Sequence, residues 1–510
     1  MKQKIMLVSL YDRGALGIRA LSGFLKSKGY ETYLVYFKQN KPRFKRNSNR
    51  KGHLQADPMG DDYILNYAEK PSNKEISLLA SLVKKIKPLI VGFSVTTIAR
   101  GTAATLTKAI QPIMEQNNGA AAWGGIDVTT CPEEAIKYSK IICIGEGYSP
   151  LLNLAKNLES KKPITKINGL WVREGEKITK NPPAKIVENL DELPFPDFSP
   201  KNKFFINNDK MRVNDASINN DPGIYTIMTS MGCPFACSYC CNSFLRDLCK
   251  GQKYLRRRSV DSVIKELKIA KKEHEIRYID FYDEVFTFDK KWVKEFAEKY
   301  KREIGIPFWC NVSPFFVDRD ILIILKDCGL DSVTMGIQSG SERILYDFYE
   351  RRTPVKEIEK CAKILHDLKI MVFYDIITNN PFETEDDCRK TFELLLRLPQ
   401  RKKFMIGISK LSLFPNTKIL EKGDYGKKYD EKMFDFWNKM YLLTQSYLPK
   451  RVLMRLSHSR FYRQNPELLK IFFLASPTSL FLKFVLIVRD ILPADTFNYI
   501  KSVKYKLVGK

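Results

Sequence analysis

Two separate runs of short apolar segments, each alternating with amphipathic helical stretches, leave this chain few folds other than parallel sheets covered by helices. The first run fills residues 1–155, with strands predicted at 5–10, 31–37, 89–94, 120–123 and 141–144. Inside it, residues 38–62 dissolve into Lys, Arg, Asn and Gly and are read as a solvated, mobile insertion loop. Residues 156–221, rich in Pro and charge with one small strand pair, are read as a linker. The second run, 222–425, has six strands, at 224–229, 276–282, 307–312, 332–337, 371–377 and 405–413, with helices between them. This predicts a partial (β/α)6 barrel of the TIM type, with reactive groups at the C-terminal ends of its strands. Residues 426–510 read as a basic helical region. The fold class is therefore α/β: a doubly wound, Rossmann-like parallel sheet, then a partial barrel, then helices.

The first strand of the second run leads into Met231-Gly232-Cys233-Pro234-Phe235-Ala236-Cys237-Ser238-Tyr239-Cys240. Three thiols at intervals of four and three converge on one metal centre if the loop wraps around it, and thiolates are the soft ligands that iron–sulfur clusters require. The residues also admit a zinc site completed by Cys241, Cys249 or His274, or buried free thiols. Eleven cysteines, the others scattered from Cys131 to Cys388, do not match a secreted disulfide framework and fit a reducing cytoplasm.

A Cys-x-x-x-Cys-x-x-Cys loop at the end of a first barrel strand, with an aromatic residue before the third cysteine, resembles the radical S-adenosylmethionine (SAM) superfamily. The resemblance implies that Cys233, Cys237 and Cys240 hold a 4Fe–4S cluster with one open iron, which chelates the amino and carboxylate groups of SAM. One electron from the cluster, delivered by an external donor of the flavodoxin or ferredoxin type, then cleaves SAM to a 5′-deoxyadenosyl radical. Tyr239 becomes the aromatic that approaches the adenine, and Cys241 points away. At the end of the second strand, Asp283-Glu284-Val285-Phe286-Thr287 resembles a motif whose carboxylate takes the SAM amino group, a role that falls to Glu284; its structural alternative is a helix cap. At the end of the fourth, Gly336-Ile337-Gln338-Ser339-Gly340-Ser341 is similar to the ribose and carboxylate contact, which implicates Gln338 and Ser339. Arg352 stands where the family has a basic residue for the SAM carboxylate, and is otherwise a solvated surface arginine. Asn379-Asn380-Pro381-Phe382-Glu383-Thr384 departs from the more frequent Gly-Leu-Pro-Gly-Glu-Thr and places two amides at the barrel mouth.

A doubly wound sheet binds its ligands at the strand ends where the strand order reverses. There the first run carries Asp12-Arg13-Gly14-Ala15-Leu16-Gly17, Ser94-Val95-Thr96 and Gly124-Gly125. Together these resemble the cobalamin-binding domain, whose marks are D-x-H-x-x-G, S-x-L or S-x-T, and G-G. Gly14 occupies the place of the cobalt-ligating histidine, as in the branch of that family fused to radical SAM barrels. The resemblance then implies a base-displaced cobalamin whose tail lies along Asp12, Gly14, Gly17, Ser94, Thr96, Gly124 and Gly125, followed by Gly145-Glu146-Gly147 as in the fused proteins.

The expected activity is methyl transfer to an unactivated carbon of a small-molecule or lipid substrate, with cyclisation, rearrangement or anaerobic oxidation as the alternative in the same family. A methylthiotransferase is disfavoured, because only Cys131 and Cys143 precede Cys233 and a second cluster triad is missing. The net charge of +27 supports a rival reading, a basic membrane- or nucleic-acid-binding protein with a structural cluster. Nucleic acid is not the expected partner. No spanning helix is predicted, since 471–482 is short and broken by Pro477. The apolar stretch 468–492 reads either as a packed helical cap or as an interfacial helix pair, placing the protein in the cytoplasm with peripheral contact at the inner face of an anionic membrane.

Overall fold

The apolar segments of the first run are buried on both faces, as strands of a parallel sheet under two helical layers must be. The computed structural model describes residues 2–12, 14–39, 41–44, 54–56, 62–214, 223–399, 404–423, 430–446 and 448–474. Strands β1 (Lys4–Leu10), β2 (Glu31–Phe37), β3 (Ile90–Ser94), β4 (Ala120–Gly124) and β5 (Ile141–Cys143) lie parallel in the order β5-β4-β3-β1-β2. Along β1, Ile5 and Leu7 enter the core on one face while Met6 and Val8 enter that on the other. Helix α1 (Leu16–Ser27) buries Ile18 and Leu25 on the first of these faces and gives way to Gly29, whose φ of +93° ends it without a side-chain clash. The order reverses between β1 and β3, and there Ser9 pairs with Ser94 and Ser94 with Gly124 in one row near the strand ends.

The sheet does not stop at five strands. The stretch read as a linker builds both of its edges: the hairpin Leu170–Glu174 and Lys177–Lys180 pairs antiparallel beyond β5, while Lys203–Asn207 adds parallel to β2 and carries Lys210–Arg212. Local strand signals were visible there, but the partners that make them sheet edges lie far away in sequence.

In the second run β6 (Ile224–Ile227), β7 (Tyr278–Phe281), β8 (Phe308–Val312), β9 (Leu330–Gln338), β10 (Met371–Thr378) and β11 (Phe404–Lys410) are parallel and paired in sequence order, the open barrel expected. Their alternation is asymmetric. Phe281, Phe308, Cys310, Val333, Met335, Val372 and Tyr374 are buried outward under the helices, while Asn311, Thr334, Gly336, Gln338 and Asp375 turn inward and stay partly accessible. Helix α2 (Cys241–Leu248) follows the cysteine loop, and α3 (Glu385–Arg397) follows β10. The insertion read as a loop instead contributes strands Lys41–Phe44, Leu54–Ala56 and Asp62–Tyr67, an antiparallel group that joins β11 through the pair Ser409 and Gln55.

After the barrel, α4 (Glu431–Leu443) buries Phe434, Phe436, Trp437, Met440 and Tyr441, and the Tyr441 hydroxyl donates to the Cys388 carbonyl of α3 at 3.0 Å. Within 468–492, Leu469 is buried, Phe472 packs on the barrel core and Ile471 is exposed; the part beyond residue 474 lies outside the described residues. No helix among the described residues is long and apolar enough to cross a membrane.

Candidate active site

The cysteine loop starts with a backbone constraint. Gly232 has φ +89°, and a Cβ on it would lie 2.6 Å from the Tyr254 carbonyl oxygen, so a glycine is needed where Ser230–Met231 pairs with Arg256–Arg257. From there the loop is held by its backbone. Arg246 of α2 donates to the carbonyls of Cys233 and Phe235, the Ser238 amide donates to the Tyr349 carbonyl at 3.0 Å, and the Ile419 amide donates to the Ser238 carbonyl at 2.9 Å. This leaves the thiols of Cys233, Cys237 and Cys240 to face one cavity of about 250 Å³ at the C-terminal ends of the barrel strands. Glu284, Asn311, Thr334, Gly336, Gln338, Arg351 and Asp375 complete its polar wall, with Tyr239 and Phe235 as its aromatic part.

Nitrogen donors surround the sulfurs. The Arg351 guanidinium lies 4.0 Å from Cys237 Sγ and donates to the Gly336 carbonyl at 3.0 Å, and the Asn242 amide is 3.5 Å from Cys240 Sγ. Burial pushes the Cys233 thiol up to about 12 and raises Cys237 as well, so a bound metal must displace protons that the folded chain itself retains. Glu284 is open to the cavity yet ringed by protein on its other sides. Desolvation raises its carboxyl above the ordinary carboxylate range, and a hydrogen bond from Asn242 opposes that rise.

Three soft thiols on one cavity wall are the kind of donor an iron–sulfur cluster takes. Among the described residues, no three Cys, His, Asp or Glu side chains are grouped to hold one metal ion, yet three thiols share the wall of one cavity. Cys241, Cys249 and His274, the candidate fourth ligands of the zinc alternative, do not line it.

Most of the residues expected from sequence meet here, with two exceptions. Arg352 is exposed; its neighbour Arg351 is the buried arginine in the cavity wall. Glu350, at φ +51°, reverses the backbone just before the pair, a turn that two consecutive arginines do not reveal in sequence. Ser339 is fully buried and turned away, its Oγ 3.3 Å from Thr391 Oγ1 and accepting from the Ser341 amide at 3.1 Å. A register shift between Gly336 and Gln338, with Gln338 at φ +67°, delivers Gln338 to the cavity instead. Sequence reading also passed over Asn242, Asn311, Thr334 and Asp375. For the last three the inward phase of β8 to β10 was the available signal; Asn242, on α2, carried none. A second cavity of about 220 Å³ shares Tyr239, Gln338 and Asp375 and continues along β10 and β11 to Phe414.

The seven strand-end residues of the first sheet form a different kind of site. The Asp12 carboxylate accepts from the amides of Gly14 at 2.9 Å and Ala15 at 3.0 Å, so it shapes its own loop. Gly125 has φ +104°, and a Cβ there would meet the Val95 oxygen at 2.8 Å. Gly17, in contrast, borders open space, with no atom within 4 Å of where a Cβ would stand. Ser94 and Gly124 fill the paired row, and Thr96 beyond it is exposed. Histidine is missing from these loops, whose residues offer room and backbone rather than a metal ligand.

This edge faces the barrel mouth. Glu146, just after β5, pairs with Arg256 beside the cysteine loop, and the Asn416 amide donates to the Thr130 carbonyl at 2.5 Å. Between them lies a cavity of about 850 Å³ walled mainly by apolar side chains, among them Trp171, Phe244 and Leu248. The seven candidate residues run along the edge and do not line that cavity.

Residues 227–395 match the model of the radical SAM superfamily. The chain is 29% identical over 324 residues to an uncharacterized methyltransferase of Pyrococcus horikoshii, a stretch covering 63% of this chain and 66% of that relative. Its fold resembles that of the radical SAM methyltransferase TsrM from Kitasatospora setae, solved with cobalamin and a 4Fe–4S cluster bound, with a TM-score of 0.62 at 16% identity over 82% of this chain and 77% of that one. It also resembles the cobalamin-dependent SAM radical enzyme OxsB with aqua-cobalamin bound, with a TM-score of 0.64 at 16% identity over 98% and 76% of the two chains.

Proposed function

We propose that this chain, whose residues 227–395 form a radical SAM domain within the architecture of cobalamin-dependent radical SAM enzymes, transfers a methyl group to an unactivated carbon of a small-molecule or lipid substrate. The observation that carries the reading is the convergence of three thiols, Glu284, Gln338 and Arg351 on one cavity at a barrel mouth that faces the strand ends of a doubly wound sheet. When bound, the cluster and SAM supply a 5′-deoxyadenosyl radical, and the corrinoid supplies a methyl group. Cys233, Cys237 and Cys240 hold the cluster. Arg351 places positive charge beside Cys237, where it balances thiolate charge and anchors the loop to β9. Glu284 and Gln338 present a carboxylate and an amide to the amino and ribose groups of SAM, with Tyr239 against its adenine. The first sheet holds the corrinoid by shape, along Asp12, Gly14, Gly17, Ser94, Thr96, Gly124 and Gly125. With the two edges facing each other, the site between them would be shielded from water, as radical chemistry requires.

The same proposal includes an external one-electron donor of the flavodoxin or ferredoxin type. It also includes peripheral contact with an anionic membrane through the C-terminal region, supported by the +27 charge and the exposed Leu468 and Ile471. Sedimentation of the chain with liposomes of graded anionic content checks the latter, and binding that ignores anionic content would remove it. The central test is anaerobic reconstitution with iron, sulfide, hydroxocobalamin and SAM. Expected are one cluster and one corrinoid per chain, 5′-deoxyadenosine on reduction, and products heavier by a methylene in a cell extract. A chain that takes up neither cofactor, or that makes no deoxyadenosine, would overturn the reading.

A further inference from the structure

We propose that Asp375 anchors a protonated amine on the molecule that this enzyme modifies. The inference rests on the reading that SAM and substrate meet at the barrel mouth.

Asp375 stands inward on β10, between Tyr374 and Ile376, which are buried outward. It lines both cavities, the one that the cysteines face and the one that runs on past Ile376, Ile377, Leu411 and Phe414. Its neighbours across the sheet are glycines on both sides: Gly336 pairs with it from β9 and Gly407 from β11. The clearance is needed, since a Cβ on Gly407 would stand 2.6 Å from Asp375 Oδ1. Among the described residues the carboxylate has neither a hydrogen-bond nor an ion-pair partner, and burial alone pushes it up to about 6.

A carboxylate partly shielded from water without a donor is costly to ionise, and a ligand that brings the donor relieves that cost. Glu284 and Arg351 stand on the cysteine side, where SAM is placed, and neither lines the second cavity. Asp375 is thus the acidic group common to both cavities, and the second, which begins at Tyr239 and Gln338, runs on between apolar side chains at Ile377, Leu411 and Phe414 and polar ones at Ser409, Lys410 and Ser412. That combination fits an ammonium carried on an apolar body.

The test uses the full chain, reconstituted anaerobically and loaded with SAM, with cyclohexylammonium and cyclohexanol as probes of one shape and different charge. Affinities are read by saturation-transfer NMR. Wild type is expected to bind the ammonium about tenfold more tightly than the alcohol, the size of one charge-assisted hydrogen bond. Asp375→Asn should remove that preference, and its SAM affinity is read in parallel by equilibrium dialysis. Gly407→Ala, which keeps the charge but crowds the carboxylate, should also reduce the preference. Equal binding of the probes by wild type, no binding of either, or a preference that survives Asp375→Asn would overturn the proposal. So would a loss of SAM affinity of tenfold or more in Asp375→Asn, which would give the carboxylate to SAM. A wild type that binds no SAM would overturn the reading of the site itself, a result distinct from these.

Discussion

The two strand-end edges that face each other in this molecule spend their polar groups in opposite ways. At the first sheet the polar groups serve the fold: Asp12 is bonded to its own loop, Ser9 Oγ donates to the Asp12 carbonyl, and Arg100 holds Asp127 with two hydrogen bonds. At the barrel the backbone holds the loop and the side chains are left for a ligand: three thiols, Glu284, Gln338 and Asp375 all face cavities. One edge offers space, the other offers chemistry. The contrast teaches that the same kind of strand-end edge can be built to shape its own loops or to leave donor side chains open to a cavity.

The strongest way to break the comparison is to remove a donor. Replacing Cys233, Cys237 or Cys240 by Ala should abolish cluster absorbance and deoxyadenosine formation while corrinoid uptake survives. Persistence of deoxyadenosine in the triple variant would refute the ligand assignment. The converse loss belongs to the first sheet. Gly125→Ala forces a side chain into left-handed backbone against Val95, a strain of about 1–3 kcal/mol that should lower the melting temperature and release corrinoid. Gly17→Leu, at a position bordered by open space, should cost corrinoid without a comparable drop in melting temperature. Both variants should keep the cluster.

The two adjacent arginines sharpen the contrast within one edge. Arg351→Gln removes a charged donor from beside Cys237 and should lower the cluster content retained after reconstitution, read from its absorbance. Arg352→Gln, at an exposed side chain, should stay within about 0.5 kcal/mol in stability and affinity. A separate effect on the barrel side is acid sensitivity. Burial opposes ionisation of Asp387, but hydrogen bonds from Arg343, Ser341 and Thr384 outweigh it and hold the carboxyl at about 2, below its ordinary 3.8. A group depressed in the folded state stabilises above its unfolded value, and that stability is lost as pH falls from about 4 toward 2. Urea midpoints at pH 6 and pH 3 should therefore show about 1–2 kcal/mol more acid loss in wild type than in Asp387→Asn.

How much of this was legible in the sequence depends on how local each signal is. The cysteine loop and the inner strands of both sheets were readable, because a motif or an apolar run carries its own meaning over ten residues. Glu284, Gln338 and Tyr239, singled out by motif for the same reason, line the cavity. Arg351 and Ser339 depend on single residues in left-handed backbone, Glu350 and Gln338, which switch the side chain that turns inward. Asp375 carries no motif, and its meaning comes from two glycines on other strands. The hairpin at 170–180 was found as a strand pair, but its place at the edge of the first sheet is a long-range fact.

The antiparallel strands inserted after β2 have a consequence for how the chain comes into being. They leave the ribosome early, yet Gln55 finds its partner Ser409 only after about 350 further residues, a delay of roughly 20–70 s at ordinary rates of synthesis. During that time the nascent chain carries an unpaired strand edge, open to pairing with a neighbouring polypeptide. Completion of β11 quenches this edge, so the last barrel strand acts as a closing signal for a segment made near the start.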